Sequence, residues 1–145
     1  MTSDERRERL RRVLDQMWNQ GELDACEDLC APHCTFHDPS FEVDGVAGFQ
    51  RQVGDLRTAN PDLHMDIHDV LVDGDMCAVR WTMGGTSRGE FRGLPATGKT
   101  YVMTGMICAK WADDRVVEMW VNYDLLGALQ QLGIISEMAP RETAG

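Results

Sequence analysis

Positive charge is scarce in this chain. Its 14 Lys and Arg face 24 Asp and Glu, for a net charge of −10. That balance argues against partners bound through a phosphate backbone, which needs a basic surface. It argues equally against adhesion to an anionic membrane. No apolar run approaches the roughly 18 residues of a membrane-spanning helix. The first residues, Met1-Thr-Ser-Asp-Glu-Arg-Arg-Glu-Arg9, contain no apolar leader segment. A cytoplasmic location is therefore expected. The cysteines are an odd set of five (Cys26, Cys30, Cys34, Cys77 and Cys108), which predicts free, mostly buried thiols rather than a disulfide framework. Internal repeats, linkers and low-complexity stretches are also missing. The 145 residues are thus expected to form one domain, 1–145, with a core over about 5–135 and a frayed tail at 136–145.

What is present has a clear order. Leu10, Val13, Leu14, Met17 and Trp18 recur at helical spacing, predicting a helix over 4–20 with Ser3 as its N-cap and Gly21 at its end. A shorter helix is expected over 22–30, stopped by Pro32. Cys34-Thr-Phe-His-Asp38 reads as a short strand closed by Pro39. Val46, Phe49, Val53 and Leu56 predict a third helix over 45–59. From Leu63 the period changes to two. Strands are expected at 63–72, 76–87, 100–111 and 115–123, joined by Asp73-Gly-Asp75, a Gly/Pro loop over 88–98, and Asp113-Asp114. The Gly84-Gly85 pair suggests a bulge or bend. A short helix over 124–132 follows. Helices first and an antiparallel meander after them make an α+β chain. The expected architecture is a cone-shaped α+β barrel, with N-terminal helices packed on a curved, mostly antiparallel sheet.

The last strand carries the first candidate chemistry. Glu118, Trp120, Asn122 and Asp124 share one parity, so their side chains face one space. A carboxylate beside an indole is partly stripped of water, which suits it to proton transfer. Asp124 is equally well placed to cap the helix that follows it. Asp38, in His37-Asp38-Pro39, is a second candidate base, or else a turn residue before proline. Arg80 sits mid-strand between Val79 and Trp81. It can orient an anionic oxygen in a pocket or pair with a carboxylate across a subunit interface. His64, Asp66 and His68 read as a solvated strand face rather than a metal site, and Cys26, Cys30 and Cys34 as core thiols rather than zinc ligands. Gly93-Leu-Pro-Ala-Thr-Gly-Lys-Thr100 matches the phosphate-binding loop literally. That motif works only ahead of a helix, and a strand is predicted here. Methionines enriched in the sheet suit a flat apolar ligand.

Several segments carry a resemblance. They are Trp18-Asn-Gln-Gly-Glu-Leu-Asp24, His37-Asp-Pro39, Asn60-Pro-Asp-Leu-His64, Gly74-Asp-Met-Cys-Ala-Val-Arg-Trp-Thr82, the stretch from Gly85 to Lys99, Glu118-Met-Trp120, and Asp124 through Gly133. In this order and spacing, over roughly 5–135, the chain resembles the SnoaL-like polyketide cyclases and ester cyclases. Their fold is shared with nuclear transport factor 2, ketosteroid isomerase and scytalone dehydratase. The resemblance implies an enzyme of secondary metabolism such as antibiotic biosynthesis. It would close an aromatic polyketide ring by intramolecular aldol condensation, without metal or cofactor, using one carboxylate. By resemblance that carboxylate maps to Asp124. Asp38 matches the position of the isomerase base, but Leu14 falls where the isomerase has its oxyanion-hole tyrosine. An Arg-x-Asp strand motif, as in limonene epoxide hydrolase, is absent after Arg80. His37 joins Asp124 and Asp38 as a catalytic candidate. Trp120, Asn122, Arg80, Trp18 and Phe36 are the expected contacts of an aromatic or polycyclic substrate. A homodimer through the open sheet face is expected. The alternatives are a cofactor-independent hydroxylase, an isomerase, an epoxide hydrolase, or a non-catalytic dimeric binding module.

Overall fold

The computed structural model describes residues 1–136, so the predicted tail lies, but for Ser136, outside the described residues. Helix α1 runs from Ser3 to Trp18, a 3-10 helix from Leu23 to Asp28, and strand β1 from Cys30 to His37. Helix α2 follows at Gly45–Ala59. Strands β2 (His64–Asp73), β3 (Met76–Thr86), β4 (Thr100–Ala112) and β5 (Arg115–Tyr123) come next, then helix α3 (Leu125–Gln131). The sheet order is β1-β5-β4-β3-β2. Only β1 and β5 are parallel; the other neighbours are antiparallel. The chain is α+β, with a curved five-stranded sheet wrapped on helices.

Helix α1 buries Leu10, Val13, Leu14, Met17 and Trp18, the stripe its periodicity predicts. Its cap is Thr2, one residue earlier than expected, whose hydroxyl accepts from Glu5 N at 3.1 Å. Asn19 then locks the helix end to the sheet. Its amide nitrogen donates to Met65 O at 2.9 Å, and its amide oxygen accepts from Met65 N at 2.7 Å. Trp18 is thereby held over the concave face.

Three expectations are corrected. The segment after Gly21 is a 3-10 helix, and β1 begins at Cys30 with Pro32 inside it. Proline needs no ladder partner on an edge strand, and β1 is an edge. The Gly84-Gly85 pair keeps regular register with Val102 and Tyr101. The irregularities fall instead between Cys30 and Thr35, between Ile67 and Asp69, and between Lys110 and Trp111.

Alternation along the strands sorts residues to two faces. In β4, Tyr101, Met103, Ile107, Ala109 and Trp111 are buried, while Val102, Thr104, Met106, Cys108 and Lys110 are exposed. Helix α3 docks on the end of β4 through Gln131, which completes the ladder as a missing strand would. Its side chain accepts from Val102 N at 2.7 Å and donates to Val102 O at 2.9 Å.

Candidate active site

The concave face of the sheet, the helices and two loops enclose a cavity of about 1120 Å³ with its mouth included. Its walls are apolar and aromatic, with Trp18, Phe36, Phe49, Trp81, Met103 and Leu129 among them. The loop after β1 contributes Phe41 and the β3–β4 connection contributes Phe91. The two rings meet edge to face, 5.5 Å apart, with the Arg92 guanidinium over both. Arg92 and Gly93 both have positive φ, at 47° and 85°, between Phe91 and Leu94, which exchange backbone hydrogen bonds. This is a two-residue hairpin turn. The literal phosphate-loop sequence is therefore a turn and loop feeding β4, not a helix start.

One carboxylate lies in this apolar wall, and it is Asp38. Phe36 pairs with Met119 and His37 with Trp120 across the β1–β5 boundary. Alternation then turns Asp38 inward, to the same side as Phe36. Its Oδ1 accepts from Ser40 N at 2.9 Å, Phe41 N at 3.0 Å and Tyr123 Oη at 2.7 Å. Its Oδ2 accepts only from Gln52 Nε2, at 3.1 Å. The first oxygen is fully occupied, while the second keeps acceptor capacity. Tyr123 is held in its protonated form. Burial pushes its phenol above the ordinary value, and the neighbouring Asp38 adds to that against a lowering contact from Ser40.

Tyr123 belongs to an inward row. Trp81, Gly105 and Tyr123 are cross-strand neighbours on β3, β4 and β5. A Cβ on Gly105 would sit 2.2 Å from Trp81 Cζ2. The indole thus lies flat across the glycine, on the side that carries Tyr123.

The neighbouring rows face outward. Leu71, Ala78, Cys108, Trp120 and His37 are paired in succession across all five strands. Trp120 and Asn122 are therefore on the outer face, not in the cavity, because their parity is opposite to that of Met119, Val121 and Tyr123. His37 reaches the cavity lining, but its ring stacks on Trp120 at 5.4 Å and its Nε2 is 2.7 Å from Glu118 Oε2. Arg80 also faces out, half-exposed, with Nε donating to Asp69 Oδ2 at 2.7 Å. Asp124 is exposed and does not line the cavity. Its Oδ1 accepts from Gly127 N at 2.9 Å as the cap of α3. Trp18 and Phe36 line the cavity.

The metal-like clusters disperse. His64 pairs with Asp66 at 3.0 Å, while His68 meets Thr82 at 2.7 Å. Cys26, Cys30 and Cys34 are buried and free. A hydrogen bond with Cys34, then burial, raises the Cys30 thiol, and burial raises Cys26 to about 11. Among the described residues no group of three His, Cys, Asp or Glu side chains could hold a metal ion.

A model of SnoaL-like polyketide cyclases matches residues 8–132. The chain belongs to the SnoaL-like polyketide cyclase family. Solved structures agree. A putative polyketide cyclase of Acidithiobacillus ferrooxidans is 32% identical, with 92% of this chain and 99% of that one covered, at a TM-score of 0.79. IdmH of Streptomyces antibioticus, a putative polyketide cyclase, is 26% identical over 88% of this chain and 98% of its own, with a TM-score of 0.74. AclR of Streptomyces galilaeus, a putative hydroxylase, shares the fold at 24% identity, 92% and 99% coverage and a TM-score of 0.80. No curated protein matches.

Within this SnoaL-like domain, sequence reasoning missed Tyr123 and Gln52. Both had a signal. Tyr123 shares parity with the apolar Met119 and Val121, and Gln52 shares a helical face with Phe49 and Leu56.

Proposed function

We propose that this protein is a cofactor-independent acid/base enzyme that closes a ring on a polycyclic ketone, with Asp38 as its base. The observation that carries the reading is the uneven loading of the Asp38 carboxylate. Three donors fix Oδ1, and Oδ2 retains a lone pair within an apolar cavity. Oδ2 takes a proton from carbon next to a substrate carbonyl, and the electron pair moves into an enolate. The enolate carbon attacks a second carbonyl of the same molecule, forming the new C–C bond. The resulting alkoxide takes the proton back from Asp38, or from Tyr123, which Asp38 then reprotonates. Proton transfers of this kind need only a carboxylate and a phenol at hydrogen-bond distance. The apolar walls favour a flat aromatic substrate.

Asp124 is read as a helix cap, and its mapped catalytic role passes to Asp38. Membership of the SnoaL-like polyketide cyclases supports the cyclase reading over hydroxylation or isomerisation. Epoxide opening is disfavoured because Arg80 is paired on the outer face. That outer face supports a homodimer. Leu71, Val102 and Met106 on it are 60–67% exposed, apolar side chains that a second copy would cover.

The test is hydrogen–deuterium exchange at the α-carbon of 2-tetralone in D₂O, followed by NMR. Asp38→Asn should lower protein-catalysed exchange by at least ~10²-fold, the usual scale for losing a general base. Asp124→Asn should leave it within a few-fold. The opposite ordering refutes the assignment.

A further inference from the structure

Strand alternation turns Tyr101 of β4 inward, in the row of Met103 and Gly105. It is 7% exposed and lines the cavity, and its hydroxyl bonds to no described residue. The unbonded side-chain atoms sealed from all contact are, among the described residues, Arg6 Nε, Trp18 Nε1 and Trp81 Nε1. Tyr101 Oη is not one of them. It is unbonded yet open, and the ring's open side is the cavity. Asn60, at the end of α2, is alike: 5% exposed and lining the cavity. Its Nδ2 donates to Leu56 O at 3.0 Å, while Oδ1 receives no donor from a described residue and is not sealed either. Ser87, 6% exposed on the same wall, accepts from Thr97 N at 3.1 Å and makes no donation of its own to a described residue. The three converge. Tyr101 pairs with Gly85, on which a Cβ would lie 3.3 Å from Asn60 Cβ, and Ser87 is the next inward position after Gly85. Thr86, buried but outside the cavity lining, is satisfied instead by Asp62 Oδ2 at 2.6 Å. Buried polar groups with spare capacity call for a partner the chain does not itself contain.

We propose that Tyr101, Asn60 and Ser87 form a second polar subsite, at the far end of the cavity from Asp38, which anchors a neutral hydroxyl on the non-reacting end of the ligand. The inference rests on the cavity being the ligand site, not on the chemistry assigned to Asp38. Asp38 bonds to Tyr123, which pairs with Gly105. Tyr101 is four residues earlier on β4, about 13 Å along the strand. The two polar ends are thus separate, with apolar wall between them. The donor and acceptor types at the far end specify the group that fits. Asn60 Oδ1 only accepts, whereas the Tyr101 and Ser87 hydroxyls can donate. A ligand hydroxyl gives its hydrogen to Asn60 and takes one from Tyr101 or Ser87. A carbonyl or an ether can do only the second. Burial, then the nearby Asp62 carboxylate, raises the Tyr101 phenol to about 12, so it remains a donor at neutral pH. The same carboxylate disfavours an anion beside it. A ligand without a polar group here seals the three off unpaired, at a cost in affinity. Tyr101, Asn60 and Ser87 are therefore specificity residues, remote from the reacting atoms.

The test compares naphthalene, 2-methoxynaphthalene and 2-naphthol on the full-length protein. They share a ring system and are not substrates for α-proton exchange, so binding is read apart from turnover. The ether can accept from Tyr101 or Ser87, and the naphthol can also donate to Asn60. Affinity should rise about fivefold at each step of the series, the scale of one hydrogen bond. Tyr101→Phe removes a hydroxyl and nothing else. It should cut the preference for naphthol over naphthalene by about fivefold, with naphthalene affinity within a few-fold of wild type. The chain has two tyrosines, so ¹³Cζ-tyrosine labelling gives two resonances, which either Tyr101→Phe or Tyr123→Phe assigns. Compared with the naphthalene-bound protein, 2-naphthol should move the Tyr101 resonance and leave that of Tyr123 in place. Movement of Tyr123 instead would put the hydroxyl at the Asp38 end and overturn the proposal. Equal affinity across the series, or binding of none of the three, overturns it too. Such a failure with Asp38→Asn still blocking α-proton exchange leaves the catalytic reading standing. A Tyr101 response with Asp38→Asn fully active in exchange does the reverse.

Discussion

Gly105→Ala is a one-carbon change with a large expected effect. The new Cβ would lie 2.2, 2.5 and 2.6 Å from Trp81 Cζ2, Cη2 and Cε2. Ordinary carbon contacts are about 3.5–4.0 Å, so the indole must move by more than 1 Å. Trp81 is 3% exposed, so movement away from the sheet carries the ring into the cavity. Overpacking of this kind costs about 1–3 kcal/mol. Alanine in place of strand glycine returns about 0.5–1 kcal/mol through the unfolded chain. The net loss is up to about 2.5 kcal/mol, or a fall in Tm of up to roughly 8 °C for a chain this size. Ligand affinity should fall further than stability, because the displaced ring occupies ligand space. Thermal unfolding and fluorescence titration with anthraquinone read the two effects. The double variant Gly105→Ala/Trp81→Leu should regain stability relative to the sum of the single changes, since the smaller side chain removes the clash. A Gly105→Ala protein with unchanged Tm and unchanged ligand affinity would refute the placement of the indole over Gly105. Strict additivity in the double variant would do the same.

Burial raises the Tyr101 phenol from 10.0 to about 12. Between those values the unfolded chain binds fewer protons than the folded one. The contribution is therefore intact below about pH 10 and is lost as pH rises through about 12; urea midpoints should fall more steeply in wild type than in Tyr101→Phe. Light scattering should give a dimer of the 16.3 kDa chain, and Met106→Glu, placing a charge amid the exposed outer row, should yield monomers; a wild-type monomer at all concentrations rules the interface out. Dialysis against a strong chelator should leave fold and α-proton exchange unchanged, and stoichiometric zinc or iron lost together with activity would overturn the metal-free mechanism.

The elements were legible because each is governed by local pattern. Val46, Phe49, Val53 and Leu56 mark α2 from Gly45 to Ala59, and Asp113-Asp114 separates β4 from β5. The site was harder for a geometric reason. Strand alternation states which residues share a face, not which face is the inside. In β5 both parities carry an aromatic: Trp120 on one, Tyr123 on the other. Glu118, Trp120 and Asn122 were rightly grouped, but the group points out. What decides between them is the packing of α1 on β2 and of α2 on β1, contacts between distant segments. The donors on Asp38 were hidden likewise, since Gln52 and Tyr123 meet it only after folding. Pro32 misled for the same reason: its tolerance depends on β1 being an edge.

The parallel pairing of β1 with β5 bears on when the site comes into being. Asp38 and Tyr123 bond across 85 residues of sequence. The β2–β5 meander can zip through short turns, whereas closing β1 onto β5 must first spend the entropy of a long loop. The carboxylate and its phenol are therefore expected to meet late in folding. They should also part early when the β1 edge opens, ahead of global unfolding. A nascent chain emerging from the ribosome would hold its apolar interior exposed until β5 is synthesised. Synthesis of β5 thus completes the chemistry and shields the core in a single event.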